Sequence, residues 1–275
     1  MLTRAMPLTG DARTADLVDA AGARLRARNS FAPVLDARTG DRDGLLGRVV
    51  GRGHPVRTFL TGVALAYLVV AGVSILAGLL VTHLLGTHPG VAHDDERLVT
   101  FLSHHRSGGL TEASLLGSML AGGVVLPIVV AGWAAIAAAF RQWRVGAFLV
   151  FVLGVESAAY RTTTLVVHRH RPTVPRLEHL PVDASYPSGH TAAAIVVYCG
   201  IALLVSSSTT KGLLRTALWT LAPLAPLYVA FSRMYRGMHH PLDVAGGVLI
   251  GITALATMVI VARATDRSAS ARHGG

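Results

Sequence analysis

Three short polar segments hold the residues of this sequence that are best suited to bind and transform a charged group. The first segment is His168–Pro172, the second is Tyr186–Thr191 and the third is Ser232–Asp243. The first and third contain arginines, whose planar guanidinium groups grip two oxygens of an anion at once. All three contain histidine, which exchanges protons near neutral pH. Together these residue types favour chemistry on a phosphate-like anion.

The second segment has the composition of a turn that opens a helix. Pro187 and Gly189 are turn residues, and Ser188 is a favourable N-cap for the helix that the apolar run from Thr191 predicts. The first amides of a helix lack internal partners and lie at the positive end of its dipole, so they attract anions. We expect His190, two residues after the cap, to face an anion bound there.

The composition of the chain indicates a membrane protein. Its 275 residues are 52% hydrophobic and only 15% charged, with a mean hydropathy of +0.51. These values argue against a soluble globule, and the apolar content argues against a nucleic-acid partner despite a net charge of +10. The single cysteine, Cys199, lies in an apolar run, so we expect neither an intramolecular disulfide nor a cysteine-based metal site.

Six apolar stretches each approach the roughly 20 residues that an α-helix needs to cross a bilayer. They cover residues 58–85, 114–140, 145–167, 191–210, 212–231 and 244–263. We therefore predict an all-α integral membrane protein in which residues 58–263 form one domain of six transmembrane helices. A further short helix at the membrane surface is expected from Asp94 to Ser103.

The two ends of the chain are predicted to be tails. Residues 1–57 are polar and charged, and they lack the early apolar core of a signal peptide. We expect them to be cytoplasmic and largely disordered, with a short amphipathic helix from Asp16 to Arg28. Residues 264–275 are expected to form a short cytoplasmic tail.

The placement of basic residues predicts the orientation of the spans. With the N-terminus inside, seventeen of the 25 lysines and arginines fall on the cytoplasmic side and eight fall outside. Two spans separate the second polar segment from the third, so all three segments emerge on the same face. We therefore expect a multi-pass protein of the cell membrane whose site faces the extracytoplasmic side.

The three segments resemble the signature motifs of the type 2 phosphatidic acid phosphatase (PAP2) superfamily, whose fold is shared by vanadium haloperoxidases. The family pattern is Lys-x6-Arg-Pro, then Pro-Ser-Gly-His, then Ser-Arg-x5-His-x3-Asp. The residues that match in order and spacing are Arg171, Pro172, Pro187, Ser188, Gly189, His190, Ser232, Arg233, His239 and Asp243. The family lysine falls on Thr164, which is the one departure from the pattern.

The resemblance implies catalytic roles that the residue chemistry also supports. His239, as a neutral imidazole, would attack phosphorus and form a phosphohistidine. Asp243 would reach back to the other ring nitrogen of His239 and fix its tautomer. His190 would protonate the leaving oxygen and then activate water. Phosphate would be bound by Arg171 and Arg233 together with the Ser188 hydroxyl and the amides near Gly189.

The departure at Thr164 leaves the place of one cation to be filled. Arg161 lies three residues earlier on the same span, so it shares a helix face with Thr164 and can extend outward. Arg169, on the loop, is the competing candidate. In the alternative interpretation, two arginines and the helix amides suffice, and Arg161 neutralises Glu156 within the span.

We therefore expect an enzyme with a PAP2-like helical bundle that hydrolyses a membrane lipid phosphate without a metal or other cofactor. The histidines outside the motifs show no i,i+4 pair with a carboxylate third ligand, which argues against zinc. The substrate would be phosphatidic acid, a phosphatidylglycerol phosphate or a polyprenyl (di)phosphate. A phosphotransferase with the same intermediate, and a non-catalytic membrane transporter that retains the motifs, are the alternatives. The oligomeric state stays open.

Overall fold

The computed structural model describes residues 32–37 and 54–273. Within these ranges the chain forms helices joined by turns and loops, and one isolated bridge pairs Arg169 with Ala184. The predicted all-α fold is therefore confirmed. The helix expected from Asp16 to Arg28, and most of the predicted N-terminal tail, lie outside the described residues.

The α-helices of the described ranges are named α1 to α10 in chain order. They are α1 (Pro55–Leu80), α2 (Pro89–His104), α3 (Gly108–Leu120), α4 (Val125–Ala139), α5 (Trp143–Val166), α6 (Gly189–Ala194), α7 (Gly200–Ser208), α8 (Gly212–Leu221), α9 (Leu224–Tyr235) and α10 (Pro241–His273). A π-helical turn, Val81–Leu85, extends α1, and another, Ile195–Cys199, joins α6 to α7. The surface helix expected around Asp94 to Ser103 is α2.

Five helical segments among the described residues are long and apolar enough to cross a membrane. They are Pro55–Leu85, Trp143–Val166, Gly189–Ser208, Gly212–Tyr235 and Pro241–Ala271. The pair α3 and α4 passes the same test together, with a bend of 47° between its halves. Counting this pair as one span gives the six that the sequence predicts.

The bend between α3 and α4 follows from the residues at the break. Gly122 and Gly123 stand there, and glycine loses more backbone freedom in a helix than any other residue. Pro127 follows in the first turn of α4, where its missing N–H costs nothing. One apolar stretch is therefore folded as two helices.

The ends of the chain differ from simple tails where the structure describes them. Helix α10 continues past the last apolar stretch to His273. A 3₁₀ turn, Pro33–Leu35, lies against its far end. There the Arg144 guanidinium lies 3.1 Å from Asp36 and 3.0 Å from Asp266, and the Ala37 amide donates to Asp266 at 2.9 Å. This contact ties the segment before α1 to the last turns of α10.

The start of α10 is packed closely against the start of α6. The Ser188 amide donates to the Asp243 carbonyl at 2.9 Å. A Cβ atom added at Gly247 would lie 2.5 Å from the Ser188 carbonyl oxygen, which is a backbone atom with little room to move. Gly247 therefore lets the second and third polar segments meet through their backbones.

We predict that Gly247→Ala destabilises the protein, because overpacking at a fixed backbone typically costs ~1–3 kcal/mol. The measurement is the unfolding temperature of the purified protein in detergent. Gly72→Ala, on α1, is the matched control, since nothing lies within 4 Å of a Cβ at that position. An unchanged unfolding temperature for Gly247→Ala would contradict the close packing.

Candidate active site

Two connections build the polar site, the loop 167–188 between α5 and α6 and the turn 236–240 between α9 and α10. Arg171 joins them. Its Nε donates to the Pro181 carbonyl at 2.8 Å, one Nη donates to Ala184 at 2.8 Å, and the other donates to the Met238 carbonyl. The predicted phosphate ligand Arg171 is thus buried and oriented by backbone carbonyls, with part of its five-donor fork still available.

Arg233 is completely buried at the end of α9. Its Nη1 donates to the Ser118 hydroxyl and to Glu178, the latter at 2.7 Å. Its Nε and Nη2 are buried and have no hydrogen-bond partner among the described residues. Since buried polar groups are normally paired, these two donors form an unsatisfied edge suited to an anion.

Glu178 is the carboxylate that balances the buried arginines. Besides Arg233 it accepts from Arg236 Nε at 2.6 Å and from the Ser118 hydroxyl at 2.9 Å. Burial alone would raise the pKa of Glu178, but the charge of Arg233 and these hydrogen bonds lower it to about 2. Glu178 therefore stays charged and holds the Nη1 side of Arg233 in place.

His239 lies at the centre of these groups and is 2% exposed. Its Nδ1 lies 2.7 Å from the Ser185 carbonyl oxygen. Because a carbonyl only accepts, Nδ1 carries the proton, and Nε2 keeps its lone pair. Burial, followed by the positive charge of Arg233, lowers the pKa of His239 well below its ordinary value of 6.5. The ring is therefore neutral and nucleophilic at neutral pH.

Asp243 differs from the expected arrangement. Its Oδ2 lies 3.9 Å from His239 Nδ1, so it stands beside the ring without a hydrogen bond to it. It accepts from the Ser185 hydroxyl at 2.6 Å, from the His240 amide at 2.8 Å and from Arg169. The tautomer of His239 is thus fixed by the Ser185 carbonyl, and Asp243 supplies a nearby negative charge.

The second segment opens a helix as predicted. Ser188 is the N-cap of α6, although its hydroxyl pairs with Thr191 at 2.9 Å rather than with a helix amide. A Cβ at Gly189 would lie 2.9 Å from the Tyr160 ring, so the residue type is dictated by this contact. His190 follows within electrostatic reach of Arg233, Glu178 and Arg171.

Neither candidate for the missing family lysine offers a free cation to the phosphate-binding groups. Arg161 is exposed, and its side chain makes no hydrogen bond or ion pair with the described residues, Glu156 included. The reason is helical geometry, because the buried Ala159 and Thr163 lie two residues away on either side and thus on the opposite face. Thr164 donates its hydroxyl to the Arg161 carbonyl within its own helix at 2.8 Å.

Arg169, the other candidate, is already paired with two carboxylates. One of its Nη atoms is paired with Asp243 and the other with Asp95 of α2. Burial alone would lower the pKa of Arg169, but the charges of these two carboxylates raise it. Arg169 thus holds a carboxylate in place. It does not offer a free fork to phosphate.

Residues 143–267 match the family model of the PAP2 superfamily. This part of the chain belongs to the PAP2 superfamily. The match covers the three polar segments, the spans that carry them and every candidate site residue named from the sequence, so the resemblance based on the motifs is confirmed.

Individual relatives of the PAP2 domain match over shorter lengths. An undecaprenyl-diphosphatase of Sulfolobus acidocaldarius is 40% identical over 75 residues, or 27% of this chain and 32% of that protein. Phosphatidylglycerophosphatase B of Bacillus subtilis is 29% identical over 129 residues, or 46% and 63%. The chain thus spans less than two thirds of the length of these curated relatives.

A solved structure shares the fold of the PAP2 domain. It is a transmembrane PAP2-type phosphatidylglycerolphosphate phosphatase from Bacillus subtilis, with a TM-score of 0.57 and 24% sequence identity. The likeness covers 74% of this chain and 93% of that one. It therefore supports a helical membrane bundle for most of the described residues.

Several residues around the PAP2 site were not found from the sequence. Glu178 and Ser185 belong to none of the three motifs. Asp95 and Glu96 lie on α2, outside the matched residues 143–267. His240, the neighbour of His239, is not one of the matching motif residues, yet it bonds both Asp243 and Glu96. The available signal in the sequence was the run of three carboxylates from Asp94 to Glu96 on a surface helix.

We predict that Glu178→Ala lowers the unfolding temperature of the purified protein in detergent, because it leaves Arg233 and Arg236 buried without their counter-ion. Breaking a buried ion pair costs on the order of 3 kcal/mol. Free phosphate should restore more stability to this variant than it adds to the wild type, since the anion replaces the lost charge. Glu112→Ala, at an exposed carboxylate of α3, is the control. A phosphate effect equal in all three proteins would contradict the assignment.

Proposed function

We propose that this protein is a metal-independent phosphatase that hydrolyses the phosphate or diphosphate of a membrane lipid through a phosphohistidine on His239. The family match and the phosphatase activities named for the relatives support the reaction class. The chemistry itself is argued from the side chains of the site.

The observation that carries the proposal is the unsatisfied edge of Arg233. A buried guanidinium with two unpaired donors is costly unless an anion completes it, and its other side is already tied to Glu178 and Ser118. Arg171 and the first amides of the helix that starts at Gly189 add donors to the same anion. A phosphoryl group has the oxygens to accept all of them.

The reaction then proceeds in two displacements. In the first, the Nε2 lone pair of His239 attacks phosphorus, the bond to the ester oxygen breaks, and His190 donates a proton to the leaving oxygen. In the second, His190 takes a proton from water, whose oxygen attacks phosphorus and releases His239 and inorganic phosphate. The Ser185 carbonyl holds the Nδ1 proton throughout, and Asp243 offsets the positive charge of the phosphorylated ring.

The substrate class follows from the position of the site. The polar loop lies at one end of the apolar helices, so a phosphate there belongs to a lipid whose chains lie alongside the spans. Phosphatidic acid, a phosphatidylglycerol phosphate and a polyprenyl (di)phosphate meet this requirement. The distribution of basic residues supports an extracytoplasmic position for this end.

The test is phosphate release from these three lipids by the purified protein in detergent containing EDTA. We expect turnover on at least one of them, inhibition by vanadate, and a loss on the order of 10³-fold or more in His239→Ala. Vanadate inhibits because it adopts the five-coordinate geometry of the transition state. His179→Ala, an exposed histidine of the same loop, should keep wild-type activity.

Three results would overturn the proposal. They are near-wild-type turnover by His239→Ala, loss of activity in EDTA that magnesium or zinc restores, and the absence of phosphate release from every lipid. Transfer of the phosphoryl group to an added alcohol with no release to water would instead identify a transferase.

The orientation is tested separately by cysteine labelling in a Cys199→Ser background. We expect His179→Cys, in the site loop, to react with an impermeant thiol reagent in intact cells. Thr210→Cys, in the exposed connection between α7 and α8, should react only after permeabilisation. The reverse pattern would place the site in the cytoplasm.

A further inference from the structure

Helix α2 touches the site through two adjacent carboxylates that no motif includes. Asp95 is only 5% exposed, although carboxylates are almost never this buried unless they are paired. Glu96 is its neighbour on the side of α2 that faces the loop and the turn of the site. Both lie well before the matched family region, which begins at residue 143.

Asp95 connects the first and third polar segments. Its Oδ2 pairs with the Arg169 guanidinium, and its Oδ1 accepts from the Leu242 amide at 2.9 Å. The other end of Arg169 pairs with Asp243. Arg169 is therefore held between two buried carboxylates, one of which also fixes the first turn of α10.

Glu96 makes the corresponding connection a few ångströms away. Its Oε1 accepts from the Thr173 amide at 2.9 Å and from the Thr173 hydroxyl at 2.6 Å. Its Oε2 lies 2.9 Å from His240 Nε2, while His240 Nδ1 lies 3.3 Å from Asp243. Helix α2 is thus connected to both carboxylate oxygens of Asp243, to Oδ1 through Arg169 and to Oδ2 through His240.

These contacts extend to the nucleophile by one more step. Asp243 accepts from the Ser185 hydroxyl, and the Arg169 carbonyl accepts from the Ser185 amide at 3.0 Å. The Ser185 carbonyl in turn accepts the Nδ1 proton of His239. The orientation of the imidazole therefore depends on a continuous chain of hydrogen bonds that begins at α2.

We propose that Asp95 and Glu96 are positioning residues for His239 and Asp243, which they hold through Arg169 and His240. The assignment rests on the proposed function, because it concerns the orientation of the nucleophile in that reaction. Misplacing a reacting group by about 1 Å costs on the order of 10²-fold in rate. Neither residue is one of the proposed phosphate ligands, so substrate binding is expected to change little.

The test compares kcat and KM of full-length variants in detergent on the best lipid substrate. Asp95→Asn keeps the shape and an acceptor for the Leu242 amide but removes the charge that holds Arg169. We expect kcat to fall by roughly 10- to 100-fold, with KM within about threefold of wild type. The kcat of Glu96→Gln should also fall. Asp94→Asn, an exposed neighbour on α2, is the matched control and should be unchanged.

A double-mutant cycle separates positioning from helix docking. If Asp95 acts through Arg169, the kcat loss of Asp95→Asn with Arg169→Gln should be clearly smaller than the product of the two single losses. The unfolding temperature is measured for each variant. Glu96→Gln provides a second route if Asp95→Asn does not fold.

The outcomes distinguish the two proposals. An inactive wild type overturns the proposed function and this assignment with it. An active wild type whose kcat survives in Asp95→Asn and Glu96→Gln overturns the assignment alone, whatever happens to the unfolding temperature. Independent, multiplying losses for Asp95 and Arg169 would likewise contradict it.

Discussion

The cost of burying arginine at the edge of an apolar bundle governs the architecture of this site. Arg233 is completely buried, and Arg171 and Arg236 are 5% exposed. A guanidinium removed from water needs charge or hydrogen bonds to replace its hydration. Arg171 finds three backbone carbonyls, whereas Arg233 and Arg236 share Glu178. The loop 167–188 folds back over the helix ends because it supplies most of these partners.

The same requirement bears on the two donors of Arg233 that have no partner among the described residues. Its Nη1 is fixed by Glu178, while its Nε and Nη2 remain able to donate to an anion. Fixing one side orients the other, so the donors need little rearrangement when an anion arrives. In the proposed reaction the neutral His239, held by a carbonyl and flanked by Asp243 at 3.9 Å, is oriented in the same way for the positive charge that it would acquire.

The sequence predicted the features that depend on residue type and spacing along the chain. Span lengths follow from apolar runs, and the common face of the three polar segments follows from the number of spans between them. The role of Arg161 and the His239–Asp243 hydrogen bond were not predicted correctly, because both depend on where a side chain points. Successive side chains of a helix are about 100° apart, and this spacing puts Arg161 on the face of α5 opposite the buried Ala159 and Thr163.

Contacts between distant parts of the chain were beyond such reasoning for a different reason. Asp95 and Arg169 are separated by 74 residues, and Asp95 and Leu242 by 147. No local pattern encodes their meeting, which depends on how α2 lies against the turn before α10. Glu178 is nearer in sequence, but an irregular loop has no period from which the direction of a side chain can be read.

Helix α10 has one more consequence. Its 33 residues correspond to about 50 Å at ~1.5 Å per residue, whereas the apolar layer of a bilayer is roughly 30 Å thick. Asp243 lies in its first turn, and Asp266, near its other end, holds Ala37 of the N-terminal segment. Helix α10 is therefore held at both of its ends, by the polar site at one and by the N-terminal segment at the other. A tilt of α10 moves Asp243 and Asp266 in opposite directions, so the position of the site beside His239 and the contact with the N-terminal segment change together.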